Sequence, residues 1–315
     1  MKLSIITPVY NRADCILRCL ASVASQNGCG SVIEHVVVDD GSTDNTAGLV
    51  RDFAAKHPHV RTVFFDRNRG TNAARNAAVR HASGDYCVIL DSDDYFTPDA
   101  CVVILKAIES THDARYFMFT RDDRTEEFDR LYGAGTVVRY SYRDVLNGKV
   151  TGDYIHVIPR SMLEKYPFDE DLKIYESLII QQIYREVGEM VFENKTIVIA
   201  ERNRSDSVTW NTLRTNEKAI SRKLQAAVKE LELFGDDYLC AGNREYVDGL
   251  YFNIVDNAVL TGDYGLAKKY IPSLTGWRKS LMNMIVIGRL GPIYKNCLNK
   301  YLNFKYRSYG IGTKK

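Results

Sequence analysis

Val36-Val37-Val38-Asp39-Asp40-Gly41-Ser42-Thr43-Asp44 is an apolar run that stops abruptly in carboxylates, and Cys87-Val88-Ile89-Leu90-Asp91-Ser92-Asp93-Asp94 repeats the pattern about fifty residues later. A parallel strand buried on both faces is apolar throughout and does not alternate with polar residues. Each stretch therefore predicts a buried strand that delivers acidic side chains to the carboxyl edge of a sheet, the edge where open α/β sheets bind ligands. Two such ends in one nucleotide-sized unit predict a site for a divalent cation together with a phosphorylated, hydroxyl-rich ligand.

Outward from these runs, strand and helix signals alternate. Strands are predicted at Leu3 to Thr7, His35 to Asp39, Val60 to Phe65 and Tyr86 to Leu90. Between them fall a helix with Ile16, Cys19, Leu20 and Val23 on one face, a helix capped near Ser42 or Thr43, and a helix from about Thr71. Thr97-Pro98-Asp99 opens another, with proline placed for the first turn. This order predicts an α/β fold with a mostly parallel, Rossmann-like, doubly wound sheet flanked by helices. From about residue 115 to 199 the pattern is less regular, with strand-like runs at Tyr116 to Thr120, Tyr154 to Ile158 and Thr196 to Ile199. Beyond Asp206 it turns helical, with Ile220, Leu224, Ala227, Val228 and Leu231 on one stripe.

Composition narrows the class. A chain of 315 residues, 45% hydrophobic and 26% charged, is an ordinary globular protein and not a disordered one. Its seven cysteines form no Cys-x-x-Cys pair, and Cys15, Cys19, Cys87 and Cys101 sit in apolar patterns, which predicts reduced core residues in a cytoplasmic protein. The apolar N-terminal run is too short for a signal peptide. Six histidines show no metal-ligand spacing.

Charge is divided unevenly. After Asp263 come eleven cations and no anion, so the overall +2 sets a basic tail against an acidic body. The apolar stretch Leu281 to Ile287 is far shorter than the roughly 20 residues a membrane span requires. Basic flanks, aromatic residues and the spacing of Tyr294, Cys297, Leu298, Tyr301 and Leu302 instead predict amphipathic helices lying on an anionic membrane surface. Packing of the same stripe on the protein or on a second copy is the alternative, and a homo-oligomer is compatible with it.

An Asp-x-Asp at a strand end can chelate a hard cation whose remaining ligands are diphosphate oxygens and water. Here it has company. Thr7-Pro8-Val9-Tyr10-Asn11, the Val37 to Asp44 segment, Arg69-Gly70 with Arg75-Asn76, Gly84-Asp85-Tyr86 and Leu90-Asp91-Ser92-Asp93-Asp94 together resemble glycosyltransferase family 2. The resemblance is dense over residues 3 to 100 and continues weakly, through Ile158-Pro159-Arg160-Ser161 and Phe168-Asp169-Glu170, to about Val208.

That resemblance implies a GT-A fold and inverting transfer of a sugar from a nucleotide-diphosphate donor, with Mn2+ or Mg2+ as the divalent cation and uridine as the usual base. It implies that Pro8, Tyr10 and Arg12 surround base and ribose, that Asp40 accepts from the base imide with Asp39 as alternative, and that Asp91 meets the ribose side. It gives Asp93 to the metal, and Arg69 and Arg75 to the nucleotide or donor. It divides the chain into a transferase domain at 1–205, with a nucleotide-binding half (1–100) and an acceptor-side half (101–205), and a helical extension at 206–315 whose basic tail begins near 277. The basic tail argues for a membrane-held acceptor, a lipid-linked or cell-envelope glycan, which places the protein at the inner face of the cell membrane. A degenerate nucleotide-binding module whose tail binds nucleic acid is the competing reading, and nucleic acid is not the partner we expect.

The base departs from the family pattern. Where members carry Glu-Asp at a helix start, this chain has Glu176-Ser177. A serine hydroxyl is too weak a base for the acceptor proton, which leaves Glu176 as the expected base, with Asp171 and Asp169 behind it. Arg202-Asn203-Arg204-Ser205-Asp206-Ser207-Val208 resembles the family's segment that precedes a Ser-Val pair.

Overall fold

Strands β1 (Leu3–Val9) and β2 (Ile33–Asp39) are buried along their whole length, which is why neither alternates polar with apolar residues. The computed structural model describes residues 1–26, 32–111, 113–150, 152–172, 175–201 and 217–308, with side chains as far as Tyr301. The segment 202–216, which holds the arginines before Ser207-Val208, lies outside the described residues.

Helix α1 (Ile16–Ala24) follows β1, then α2 (Thr46–Ala54), β3 (Val60–Phe64), α3 (Thr71–His81), β4 (Tyr86–Ile89), β5 (Tyr95–Phe96) and α4 (Ala100–Ser110). The N-cap of α2 is Asn45, not Ser42 or Thr43 as expected. Ser42 and Thr43 are drawn instead to Asn11, whose N–H donates to Ser42 Oγ at 2.9 Å and whose Oδ1 accepts from the Thr43 N–H at 2.8 Å.

The irregular region supplies β6 (Phe117–Arg121), α5 (Thr125–Tyr132), β7 (Val137–Ser141), α6 (Tyr142–Leu146), β8 (Ile155–Pro159), α7 (Arg160–Lys165), α8 (Ser177–Val187) and β9 (Glu189–Ile199). Together the strands form a nine-stranded sheet in the order β3-β2-β1-β4-β8-β6-β9-β5, with β7 pairing β9 off this path. The first half is parallel throughout, β1 lying between β2 and β4. In the second half β8 runs antiparallel to both β4 and β6, and β9 antiparallel to β5 and β7, while β6 and β9 are parallel. The sheet is thus mixed, and β9 is eleven residues long where the apolar pattern marked only its last few.

Core residues cover both faces of this sheet. On one, Leu3, Ile5, Val37 and Val88 meet Ile16 and Leu20 of α1 and Cys101 and Ile104 of α4. On the other, Ile6, Val36, Val38 and Cys87 meet Ala74, Ala77 and Ala78 of α3 and Ile179 and Ile183 of α8. Each fully buried branched side chain contributes about 1.5–3 kcal/mol, so the strand ends stand on a well-anchored platform.

The chain divides into compact units at Met1–Arg204 and Ser205–Lys315. The second is helical, with α9 (Glu217–Cys240), α10 (Arg244–Thr261), α11 (Tyr264–Tyr270), α12 (Gly276–Ile287) and α13 (Gly291–Ser308). Leu224 and Ala227 pack with Ile254, Ala258, Met282, Ile285 and Val286 in a core of their own. Among the described residues no helix is long and apolar enough to cross a membrane.

Candidate active site

After β3 the chain returns to lay β4 on the opposite side of β1 from β2, and this reversal of strand order opens a crevice at the carboxyl ends. Tyr10-Asn11-Arg12 from β1, Asp39-Asp40 from β2 and Asp91 to Asp94 from β4 all emerge there. Pro8 is buried in β1 opposite Val38, whereas Tyr10 is 39% exposed. Asn11 adopts a left-handed φ of 50°.

Asp39 and Asp40 are both 2% exposed and bonded differently. Asp39 Oδ1 accepts from the Ser42 N–H at 2.8 Å, and its Oδ2 has no hydrogen-bond partner among the described residues. Asp40 Oδ1 accepts from the Arg69 N–H at 2.7 Å and Oδ2 from the Gly70 N–H at 2.8 Å. These bonds use one lone pair of each oxygen and bind the loop before α3 to the end of β2. Gly41 makes the approach possible. Its φ is +71°, and a Cβ there would stand 2.4 Å from the Arg67 carbonyl carbon.

At the end of β4, exposure alternates. The Asp91 and Asp93 side chains are 49% and 26% exposed, while Ser92 and Asp94 are buried. The turn is braced from α1, with the Cys19 thiol on Asp91 O at 3.7 Å, the Cys15 thiol on Ser92 O at 3.8 Å, and Arg18 Nη2 donating to Asp93 O at 3.0 Å. Arg18 also lies 4.5 Å over the Tyr95 ring and pairs with Glu201. Arg12 Nε stands 3.9 Å from Asp93 Oδ2. Asp94 Oδ1 accepts from the Glu201 N–H at 2.9 Å and so ties the turn to the end of β9. Burial pushes the Asp94 carboxyl up to about 7, helped by the charges of Asp91 and Asp93 and opposed by the Glu201 N–H and Arg121.

Arg75 of α3 joins the two sides of the site. Its Nη2 lies 3.3 Å from Asp91 Oδ1 and its Nη1 2.5 Å from Glu176 Oε1, with the guanidinium 5.6 Å from the Phe168 ring centre. Burial works against its charge, but the Asp91 and Glu176 carboxylates outweigh burial and hold its pKa above the ordinary value. Its cation, expected on the donor, is engaged with these carboxylates. Arg69 is half-exposed, 3.6 Å from Glu170 and 4.7 Å over the Phe65 ring.

Glu176 is the N-cap residue of α8 and Ser177 its first helical residue, yet the Glu176 side chain makes no capping bond and reaches Arg75 instead. The loop before it is tied to α3 by two asparagines. Asn76 exchanges bonds of 2.8 Å with the Phe168 N–H and carbonyl, and Asn72 Nδ2 donates to Asp169 O at 2.7 Å. Asp169 Oδ1 caps its own turn through the Asp171 and Leu172 N–H groups, and Asp171 is exposed. The site thus brings together Arg12, Asp91, Asp93, Arg75 and Glu176. Sequence reasoning gave no role to Asn72, Asn76, Arg18 or Asp94, although Asn76 and Asp94 stand in the motifs quoted above. A pair of polar amides one turn apart among the alanines of α3 was the available signal for the first two.

Among the described residues no three His, Cys, Asp or Glu side chains form a cation cluster. Asp91 and Asp93 are nonetheless accessible oxygen donors on a braced turn, a set that fits a hard cation whose remaining ligands are phosphate oxygens and water.

Comparison with known proteins agrees with this architecture. The family model for glycosyl transferase family 2 matches residues 4–165. Poly(ribitol-phosphate) beta-glucosyltransferase of Bacillus spizizenii is 29% identical over 202 residues, covering 62% of this chain but only 26% of that protein. The crystal structure of S. aureus TarS in complex with UDP-GlcNAc superposes with a TM-score of 0.66 at 18% identity, covering 96% of this chain and 92% of that one. The mannosyltransferase PcManGT from Pyrobaculum calidifontis, in complex with GDP-Man and Mn2+, gives 0.59 at 18% identity, covering 94% and 83%. With its mixed α/β sheet, its helical C-terminal region and its acidic strand ends, the chain has the fold of these structures and belongs to glycosyl transferase family 2.

Proposed function

We propose that this protein transfers a sugar, with inversion, from a UDP-sugar to a hydroxyl of a lipid-linked or cell-envelope glycan in polysaccharide or lipopolysaccharide biosynthesis. The observation that carries the mechanism is the Arg75 bridge, which joins Glu176 at the start of α8 to Asp91 at the end of β4; in this reading Glu176 faces the acceptor and Asp91 the donor. UDP-GlcNAc in one fold relative and the glucosyltransferase name of another relative support a UDP-sugar donor.

In this reading Tyr10 offers its exposed ring to the base, Pro8 and Arg12 bound the nucleoside pocket, and Asp40, held by the Arg69 and Gly70 N–H groups, reads the base imide. Asp91 meets the ribose side. Arg69 stands at the rim beside the diphosphate, and Arg75 fixes the two carboxylates. Asp93 would hold a divalent cation, which when bound would offset negative charge on the departing diphosphate. The acceptor oxygen attacks the anomeric carbon, the bond to the diphosphate oxygen breaks, and the acceptor proton passes to Glu176. Products are the glycoside and the nucleoside diphosphate.

Calorimetric titration with UDP, GDP, CDP and dTDP, with and without Mn2+, tests the donor half. UDP binding that needs the metal and falls at least about a hundredfold in Asp93→Ala is the expected result. Folded protein that binds no nucleotide would leave the motifs vestigial and defeat the reading.

A further inference from the structure

Helices α12 and α13 are apolar on more than the face they bury. Met282, Ile285 and Val286 of α12 enter the helical core, with Tyr294 of α13 packed against them and its hydroxyl donating to Asp256 Oδ1 at 2.6 Å. At 100° per residue, Trp277, Met284 and Ile287 fall on the other side of α12, and they are 69%, 58% and 78% exposed. Ile293, Cys297 and Tyr301 repeat this on α13 at intervals of one turn, and all are exposed. Folding of the unit therefore consumes one stripe of each helix and leaves a second, equally apolar stripe outside.

Cations lie along the same tail. The Arg278 guanidinium lies 4.8 Å over the Phe252 ring and 5.9 Å from the Trp277 ring, and Lys268 and Lys300 are exposed. Of the tail's cations, Lys295 alone pairs with a carboxylate among the described residues, Glu217 at 3.6 Å. Charge selects the occupant. A second copy would bring the same basic tail against this one, and a nucleic acid would give Ile287 and Ile293 nothing apolar to enter. An anionic bilayer satisfies both features, since aromatic and aliphatic side chains settle at the headgroup boundary while lysines meet lipid phosphates.

We propose that the outward stripes of α12 and α13 seat the protein on an anionic lipid bilayer, with Trp277, Ile287, Ile293 and Tyr301 entering the interface. The seat stands apart from the transfer reaction, because a protein that transferred nothing would keep it.

Co-sedimentation of the full chain with phosphatidylcholine vesicles, with and without phosphatidylglycerol, tests the seat. The native protein pellets with the anionic vesicles and far less with the neutral ones. Trp277→Ser/Ile287→Ser/Ile293→Ser lowers that partitioning by about tenfold or more, and Lys268→Gln/Lys300→Gln lowers it by roughly thirtyfold. Both variants keep the native melting temperature and UDP affinity, because the replaced groups face outward. Native protein left in the supernatant with both vesicles overturns the proposal, as does undiminished binding by the serine variant. A concentration-dependent dimer abolished by the serine variant would assign the stripes to a second copy, and oligonucleotide binding that displaces the vesicles would assign the cations to nucleic acid.

Discussion

The two halves of the sheet hold their functional side chains by different means. In the parallel half, Asp40 is fixed by backbone N–H groups and the Asp91 to Asp94 turn by thiols, Arg18 and the Glu201 amide. In the mixed half, Glu176 stands after a loop whose anchors, Asn72, Arg75 and Asn76, all belong to α3 of the first half. The proposed donor side is thus organised by its own strand ends, whereas the candidate base borrows its position from across the crevice. Changes on the two sides are expected to separate into different kinetic signatures.

Glu176→Gln is the sharpest way to test that division. Gln cannot take a proton but keeps the size and a hydrogen-bonding oxygen for Arg75, so kcat falls about a thousandfold while UDP affinity and melting temperature hold. Loss of UDP affinity in this variant would merge the two sides into one binding unit. Unchanged kcat would move the base elsewhere, Asp169 being disfavoured because it caps its own turn.

Gly41→Ala attacks the donor side through its backbone. A Cβ would meet Arg67 and Asn68 backbone atoms at 2.4–2.7 Å, and φ is +71° besides. Backbone cannot yield as a flexible side chain does, so calorimetry should show a loss of about 3 kcal/mol, with UDP binding weakened in whatever remains folded. A stable Gly41→Ala protein would mean that the loop 66–70 is not pressed onto the end of β2.

Acid separates the halves less sharply, because each buries a histidine. Burial, with His59 nearby, lowers His35 of β2 to about 3, and burial lowers His156 of β8 to about 4. The unfolded chain takes up these protons near pH 6.5 and the folded chain does not, so stability is full above 6.5 and declines as pH falls toward 4. About 3 kcal/mol should be lost between pH 6.5 and 5, roughly half from each histidine, measured by urea unfolding, and His156→Phe should make that decline shallower. Glu34 acts later. Burial opposes its charge, but hydrogen bonds from Ser4, Ser83 and Lys2 prevail and hold it near 2, so its contribution is lost only as pH falls below about 4.5. A flat profile from pH 7 to 5 would mean the histidines are hydrated in solution.

The same contrast explains what the sequence discloses. Val36 to Asp40 and Cys87 to Asp94 announce themselves because each strand is buried on both faces and its chemistry follows directly in the chain. β9 was visible only at Thr196 to Ile199 because Glu193 and Lys195 interrupt its apolar pattern, and β7 is an edge strand whose Val137 is 57% exposed. Glu176 could be proposed from the family resemblance, but its link to Arg75 spans 101 residues and no local period reports it. In the tail, composition showed charge and apolar stripes but not their direction, since Tyr294 turns inward while Ile293 beside it turns out.

Asn76→Ala offers the finest test of the borrowed position. Asn76 is 7% exposed, and its amide both donates to and accepts from the Phe168 backbone at 2.8 Å. Alanine leaves the Phe168 N–H and carbonyl without these partners in a site that water reaches poorly, which costs about 1–2 kcal/mol. If the asparagine merely welds two segments, melting temperature falls and the remaining folded enzyme turns over normally. If it aims Glu176, kcat also falls by about tenfold at a temperature where the protein is fully folded, with UDP affinity intact. The borrowed position of the base requires the second result, because only it connects α3 to the acceptor step and not to stability alone.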